Sequence, residues 1–326
     1  DVLGSRGLGD VYKRQDITTI VAALESTSVY SIHIANYLSS CEELMRFKPY
    51  VFVLNPKCTA NYKKSYIGLG KSDPIDAFVI ADYARAGNIE SEPWRGSQFL
   101  ALKRLTRHRL HLVECMTREK TYLVSNLYLK FSELQMLEGD DQPFCDIYGA
   151  TSSSVLMEYF SPEEILDSSE EDLIAFLAKK SRNRIKDISK TADLLKKAAR
   201  DSYRLDKALY EPLNVSIASS FNCIETFKRE IKVIDNAIEK EIKGLNPNAF
   251  IILQSIDGIG PVFAGGIIAE IGDITAFHSS DALAKYAGLT WKSNQSGDFD
   301  GEDTPMIKAG NRYLRYYLGE AANSMR

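Results

Sequence analysis

Ile17-Thr18-Thr19-Ile20-Val21-Ala22-Ala23-Leu24-Glu25 is an apolar, β-branched run that closes on an acid, and it reads as a buried strand. Further on, Lys71-Ser72-Asp73-Pro74-Ile75-Asp76-Ala77 opens a helical stretch. Asp73 and Asp76 are three residues apart and therefore share a helix face. Carboxylates presented by a strand end and a helix start suit a hard divalent cation, because Mg2+ prefers oxygen ligands and keeps some of its waters. Sites of this kind serve phosphoryl transfer. The pair also has a plain structural reading. Asp73 before Pro74 fits an N-cap with proline at the first helical position, and Asp76 then falls where a capping-box acid would.

The chain of 326 residues is 44% apolar and 26% charged, a composition suited to two or three globular domains. No apolar run is long enough to span a bilayer. Cys41, Cys58, Cys115, Cys145 and Cys223 are scattered with no C-x-x-C pair, which predicts reduced thiols, a cytoplasmic setting and no structural zinc. A formal charge of −4 argues against a uniformly basic nucleic-acid binder. The charge is unevenly placed, however: acids dominate from Glu138 to Asp172, while Lys57–Lys71 and Lys103–Lys120 are basic.

Residues 1–15 (DVLGSRGLGDVYKRQ) show no period and run into the strand without turn chemistry. They resemble translated sequencing-adapter read-through and are set aside from the fold argument. From residue 16 the pattern is strand (17–24), helix (29–40), strand (50–54, ending at Asn55-Pro56), a basic loop, and a helix from Asp73 to Ala86, which implies an α/β layer with a parallel strand pair over 16–96. A long helix is expected over 97–138 and is broken by Gly139-Asp140-Asp141-Gln142-Pro143. Residues 139–224 read as a helical insert. The stripe Phe227, Ile231, Ile234, Ile238, Ile242 marks 225–245 as a coiled-coil or hairpin helix, and a mostly helical domain fills 246–326. The final helix stops without a cap, so the chain reads as a fragment at both ends. The fold class expected is therefore α/β plus α.

Two signals stand out in the last domain. Ile256-Asp257-Gly258-Ile259-Gly260-Pro261 precedes a helix of small residues and looks like the turn of a helix-hairpin-helix, where free N–H groups behind Gly258 and Gly260 can face a phosphate. A tight interhelical turn without a ligand fits equally well. Ser296-Gly297 lies in a polar loop, ahead of Lys308, Arg312 and Arg315, which are spaced to share one side of the C-terminal helix and suit a phosphate backbone. Such a face can also simply be solvated. The same two readings hold for Lys103, Arg104, Arg107 and Arg109, with His108 and His111, on the long helix.

In ordered combination these residues resemble the DEDD transposases of bacterial insertion sequences, relatives of the Piv-type DNA invertases. Leu24-Glu25-Ser26-Thr27 matches that family's E-[AS]-T segment, Asn55-Pro56 its N-P, and Lys71-Ser72-Asp73-Pro74-Ile75-Asp76-Ala77 its K-[TS]-D-x-x-D-A. Ile256-Asp257-Gly258-Ile259-Gly260 is similar to I-P-G-I-G, Tyr286-Ala287-Gly288-Leu289 to [FY]-A-G-L, and Ser296-Gly297 to S-G. Ile307-Lys308-Ala309-Gly310-Asn311 and Leu314-Arg315 complete a match over about 17–326. Trp291 and Asp257 stand where the family has proline. The family's first aspartate belongs about fifty residues before Glu25, and neither Asp10 nor Asp16 has its context.

The resemblance implies a RuvC-like, RNase H-fold layer over 16–96 that holds Mg2+ or Mn2+ through Glu25, Asp73 and Asp76. It implies Ser296 as the nucleophile on a DNA phosphodiester and, by analogy with RNA-guided relatives, a noncoding guide RNA. DNA partners and a dimer or tetramer follow, with no membrane. Because one family ligand is unmatched, little activity is expected of this chain itself. A RuvC-like nuclease using water, or a non-catalytic nucleic-acid-binding scaffold, are the competing readings.

Overall fold

In a computed structural model, residues 18–27, 29–89, 93–291, 295–296, 299–300 and 304–325 are described. The chain divides into two units, residues 1–107 with 238–326, and residues 108–237.

The first unit opens with β1 (Val21–Glu25) and β2 (Tyr50–Leu54), paired in parallel from Val21↔Tyr50 to Glu25↔Leu54. The crossover carries α1 (Tyr30–Ser40) and the short α2 (Glu42–Met45), as a parallel connection requires. The strand is shorter than the sequence suggested: it begins at Val21, with Ile20 bonded by its backbone to Phe47 and Tyr50 just ahead of it, and Ile17 lies outside the described residues. It is also not buried. Val21 is 53% exposed and the others are half-covered, because β1 has β2 as its single partner among the described residues.

Asn55-Pro56 starts a helix, and the expected basic loop is partly replaced by α3 (Pro56–Lys63). Asn55 Oδ1 accepts the Lys57 N–H at 3.0 Å and Pro56 takes the first helical position, where its missing N–H is not needed. Then comes α4 (Asp73–Arg85), which packs on β1 and α3. Its N-cap is Ser72, not Asp73, and Ser72 makes no side-chain capping bond. Asp73 is thus the first helical residue, and the N-cap reading of it fails.

The remainder of this unit is helical. It comprises the start of α5 (Ser97–Lys130), the end of a helix that begins at Lys207, α11 (Pro247–Gln254), α12 (Pro261–Ile271), α13 (Ser280–Ala287) and α14 (Arg312–Ser324). Two residue pairs form a short antiparallel ladder, β3 (Gln295–Ser296) with β4 (Phe299–Asp300). The small residues of α12 have a packing purpose. A Cβ at Gly266 would lie 2.5 Å from the Tyr317 ring, so only glycine lets α14 come this close. Tyr317 is fully buried, and its hydroxyl donates to the Thr106 carbonyl oxygen of α5 at 2.7 Å.

The second unit is all helix and turn: the rest of α5, α6 (Ala150–Glu158), α7 (Pro162–Asp167), α8 (Glu170–Ser181), α9 (Ile188–Asp201) and most of α10 (Lys207–Leu245). The expected helix over 225–245 begins eighteen residues earlier, and Pro212 sits inside it. Conversely, α5 ends at Lys130, short of the Gly139 break, where Phe131 leaves helical geometry (φ −147°, ψ 66°) and turns into the core. One cluster joins Leu123 and Leu127 to Leu173, Leu195, Ile217 and Phe221. Residues 139–224 therefore share a single core with the flanking long helices.

Lys130 is buried in this core with no carboxylate bound to it among the described residues. Its ammonium donates to the carbonyl oxygens of Leu156 and Tyr159 at 2.7 and 2.6 Å and to Asn214 Oδ1. Burial pulls its pKa down to about 8, against a small opposing pull from Glu164. Between that value and the ordinary lysine value the unfolded chain binds the extra proton, so stability rises with pH across about 8 to about 10.5. Urea denaturation of wild type minus Lys130→Met should show this rise. A flat difference would contradict a depressed Lys130.

Candidate active site

Glu25 ends β1 beside Leu54 of β2, and its carboxylate is half-buried. Thr59, buried on α3, donates its hydroxyl to Glu25 Oε1 at 2.6 Å. One turn further along the same helix, Lys63 Nζ lies 2.5 Å from Asp76 Oδ1. Asp73, in the first turn of α4, is exposed. One helix thus engages a carboxylate from a strand and another from a neighbouring helix, and sequence reasoning missed both of its residues. The signal was present: asparagine then proline starts a helix, which puts Thr59 and Lys63 on one face at i, i+4.

Beside Glu25, a cleft of about 480 Å3 runs between β1 and α4, lined by Val21, Leu24, Ala77, Ile80 and Arg85. Arg85 is tied to Asp82, whose carboxylate also accepts the hydroxyls of Tyr62 (2.8 Å) and Tyr66. Those hydrogen bonds, led by Tyr66, hold the Asp82 carboxyl down at about 2 and push the Tyr66 phenol up. The oxygen-only donor set of Glu25, Asp73 and Asp76 fits a hard divalent cation in its chemistry. Among the described residues, no three acids, histidines or cysteines are gathered tightly enough to hold one.

A second centre lies around Glu270 on α12, whose side chain is fully buried. Arg107 grips it with two bonds, Nε to Oε1 at 2.7 Å and Nη2 to Oε2 at 2.9 Å. Lys103 stands 3.8 Å from Oε2, and Asn311 Nδ2 donates to Oε2 at 2.8 Å. Burial by itself would raise the Glu270 carboxyl, but these donors and charges hold it below its ordinary value. Asn311 also caps α14, its Oδ1 accepting the N–H groups of Tyr313 and Leu314.

The expected nucleic-acid residues separate accordingly. Lys103 and Arg107 serve Glu270, and Arg109 pairs with Asp235 at 2.5 Å. Lys308, Arg312 and Arg315 do not form one helical row. Lys308 precedes α14 in a left-handed conformation (φ 53°), and Arg315 Nη1 turns back to the carbonyl oxygens of Ala287 (2.9 Å) and Lys308 (3.1 Å). Arg312 lies 5.1 Å from the Tyr313 ring centroid. Arg104, Lys308 and Arg312 are exposed, as are His108, Gly258 and Gly260. Gly258 adopts φ +85°, and a Cβ there would meet the backbone of Ser324 at 3.0 Å, so the glycine turn is shaped by contact with the end of α14.

Ser296 lies in β3, opposite Phe299. Asn294 and Gly297, which flank β3, are outside the described residues. The segment is strung between α13 and α14 with both flanks tied, by a Trp291–Met306 bridge and by the Ile307 N–H donating to the Thr290 carbonyl oxygen at 2.8 Å. It belongs to a different sheet from Glu25.

A parallel strand pair that ends on a carboxylate and a short ladder that carries Ser296 both belong to the first unit. Residues 6–132, with Glu25, Asp73 and Asp76, match a family described as Transposase, and residues 251–326, with Ser296, match the family described as Transposase IS116/IS110/IS902. The first match begins inside the segment 1–15. The chain belongs to the DEDD-type insertion-sequence transposases. It is 30% identical over 257 residues to a 42 kDa protein of insertion element IS900 from Mycobacterium paratuberculosis, covering 78% of this chain and 60% of that one. It is 27% identical over 282 residues to a 43.6 kDa protein of insertion element IS110 from Streptomyces coelicolor, covering 77% and 59%. The chain thus spans about 60% of the length of the curated relatives it matches. No helix among the described residues is long and apolar enough to cross a membrane.

Arg107→Ala would leave Glu270 buried with its main partner gone and should cost on the order of 3 kcal/mol. Arg104→Ala, on the exposed face, should change stability by less than about 0.5 kcal/mol. Urea denaturation of both variants checks the contrast, and equal effects would contradict it.

Proposed function

We propose that this protein is a DNA transposase and recombinase of a bacterial insertion sequence, which cuts and rejoins strands through a serine nucleophile with divalent-metal help. The observation that supports it most is the placement of Glu25 at the end of β1 next to a helix that opens with Asp73 and Asp76, within the residues 6–132 that match a transposase family. The β1–β2 layer is read as part of an RNase H-like sheet.

Glu25, Asp73 and Asp76 would hold the metal, with Mg2+ or Mn2+ as the ion. When bound, it supplies charge neutralisation at the phosphate and lowers the pKa of a coordinated oxygen. The chain's own residues do the rest. Ser296 would attack a DNA phosphorus: a new bond forms from its hydroxyl oxygen, one P–O bond to deoxyribose breaks, and the energy of the diester is kept in a phosphoserine for rejoining. The serine's proton leaves to solvent or a base, and the departing deoxyribose oxygen takes one up. Arg104, Lys308 and Arg312, with the glycine turn at Gly258 and Gly260, would meet phosphates of DNA or of a noncoding guide RNA. Lys103, Arg107 and Arg315 would support that surface from within through their carboxylate and carbonyl partners. The working site would be completed in a dimer or tetramer, in the bacterial cytoplasm.

The test is strand cleavage of DNA carrying the element's ends. Cleavage should need Mg2+ and be abolished by chelation, and Asp76→Ala and Ser296→Ala should each lower it on the order of 10³-fold or more. Cleavage that survives Ser296→Ala would point to a water-using nuclease. DNA binding without cleavage by the unaltered chain would point to a scaffold.

A further inference from the structure

Lys63 is absent from every motif that carried the functional reading, yet it makes the closest contact to one of the proposed metal ligands. Its Nζ lies 2.5 Å from Asp76 Oδ1, with the two side chains 24% and 44% exposed. Thr59, four residues earlier on the same face of α3, is 3% exposed and holds Glu25 at 2.6 Å. Both contacts are set by one helix register, so α3 fixes the separation at which the two carboxylates are gripped. Lysine suits the position because its ammonium is a compact point charge that satisfies a single carboxylate oxygen.

We propose that Lys63, packed beside Asp76 by α3, is an internal cation that occupies the divalent-metal position of that carboxylate and is displaced when the metal binds. This rests on the metal reading above. A divalent ion on Asp76 Oδ1 would meet the ammonium at contact distance, and the like-charge repulsion favours breaking the Lys63 contact as the ion binds. The pair therefore sets a threshold: Asp76 is kept ordered and neutralised at low metal, and the site fills only when the ion outcompetes the lysine. Lys64 next door supplies a control, since its Nζ is turned to Asn61 Oδ1 at 3.1 Å instead.

Mn2+ binding to the full chain, followed by the electron paramagnetic resonance of the free ion, tests this without reference to activity. Lys63→Met should tighten Mn2+ binding about five- to ten-fold, the loss of a half-exposed ion pair plus a nearby like charge. Lys64→Met removes the same formal charge nearby and should stay within about two-fold of wild type, as should Lys63→Arg, which keeps the pair. Asp76→Asn combined with Lys63→Met should lose the gain. Should Lys63→Met melt early by circular dichroism, Lys63→Gln carries the same test. Equal tightening in the Lys63 and Lys64 variants would overturn the proposal in favour of a general charge effect. Wild-type binding that Lys63→Met leaves unchanged would overturn the role of Lys63 and leave the metal reading standing, whereas no Mn2+ binding by any form would overturn both.

Discussion

The carboxylate of Glu270 is the fixed point around which the C-terminal half of the first unit is arranged. An ion of that kind with no solvent contact costs several kcal/mol unless it is paired and hydrogen-bonded. Here the charge is met by Arg107 through two bonds and by Asn311 through a third. Asn311 simultaneously starts α14 by capping it, so a single side chain both initiates that helix and fixes it to α12. The Tyr317 hydroxyl then pins the same helix to α5. Remove the buried acid and three helices lose their common reference. The serine segment, strung between α13 and α14, inherits its anchorage from this lock.

The carboxylate end of the unit is organised on a different principle. There the acids are half-exposed, and one face of α3 grips two of them with a hydroxyl and an ammonium. Partial exposure would leave their charge available for the proposed cation, and the gripping residues limit where the oxygens can point. Burial with full pairing builds architecture at Glu270. Partial pairing at Glu25 and Asp76 would preserve the proposed chemistry. The same residue types thus serve opposite purposes, and the degree of solvent contact decides between them.

Much of this was legible in the chain. The parallel pair, α1, α4 and the glycine turn follow from alternation, punctuation and the Gly-x-Gly spacing. Glu25 ends its strand and Asp73 and Asp76 open their helix, as those patterns imply. What sequence could not supply was partner choice. Arg107 and Arg104 are indistinguishable in a basic helical run, yet one grips a buried acid from a residue 163 positions away and the other faces solvent. Arg315 and Lys308 read as a phosphate row because helical spacing was extended one turn too far, across the Asn311 cap. Lys130 and the reach of α10 past Pro212 were hidden for a similar reason, since tertiary burial there overrides local propensity. Thr59 and Lys63 were within reach of the sequence once Asn55-Pro56 is read as a helix start.

The proposed covalent link between Ser296 and DNA is open to direct measurement. The most direct measurement is mass spectrometry of the protein after denaturing a reaction with labelled end DNA and digesting the nucleic acid away. A nucleotide remnant is expected on the peptide containing Ser296 and on no other. A remnant on a different residue, or cleaved DNA with unmodified protein throughout, would contradict it.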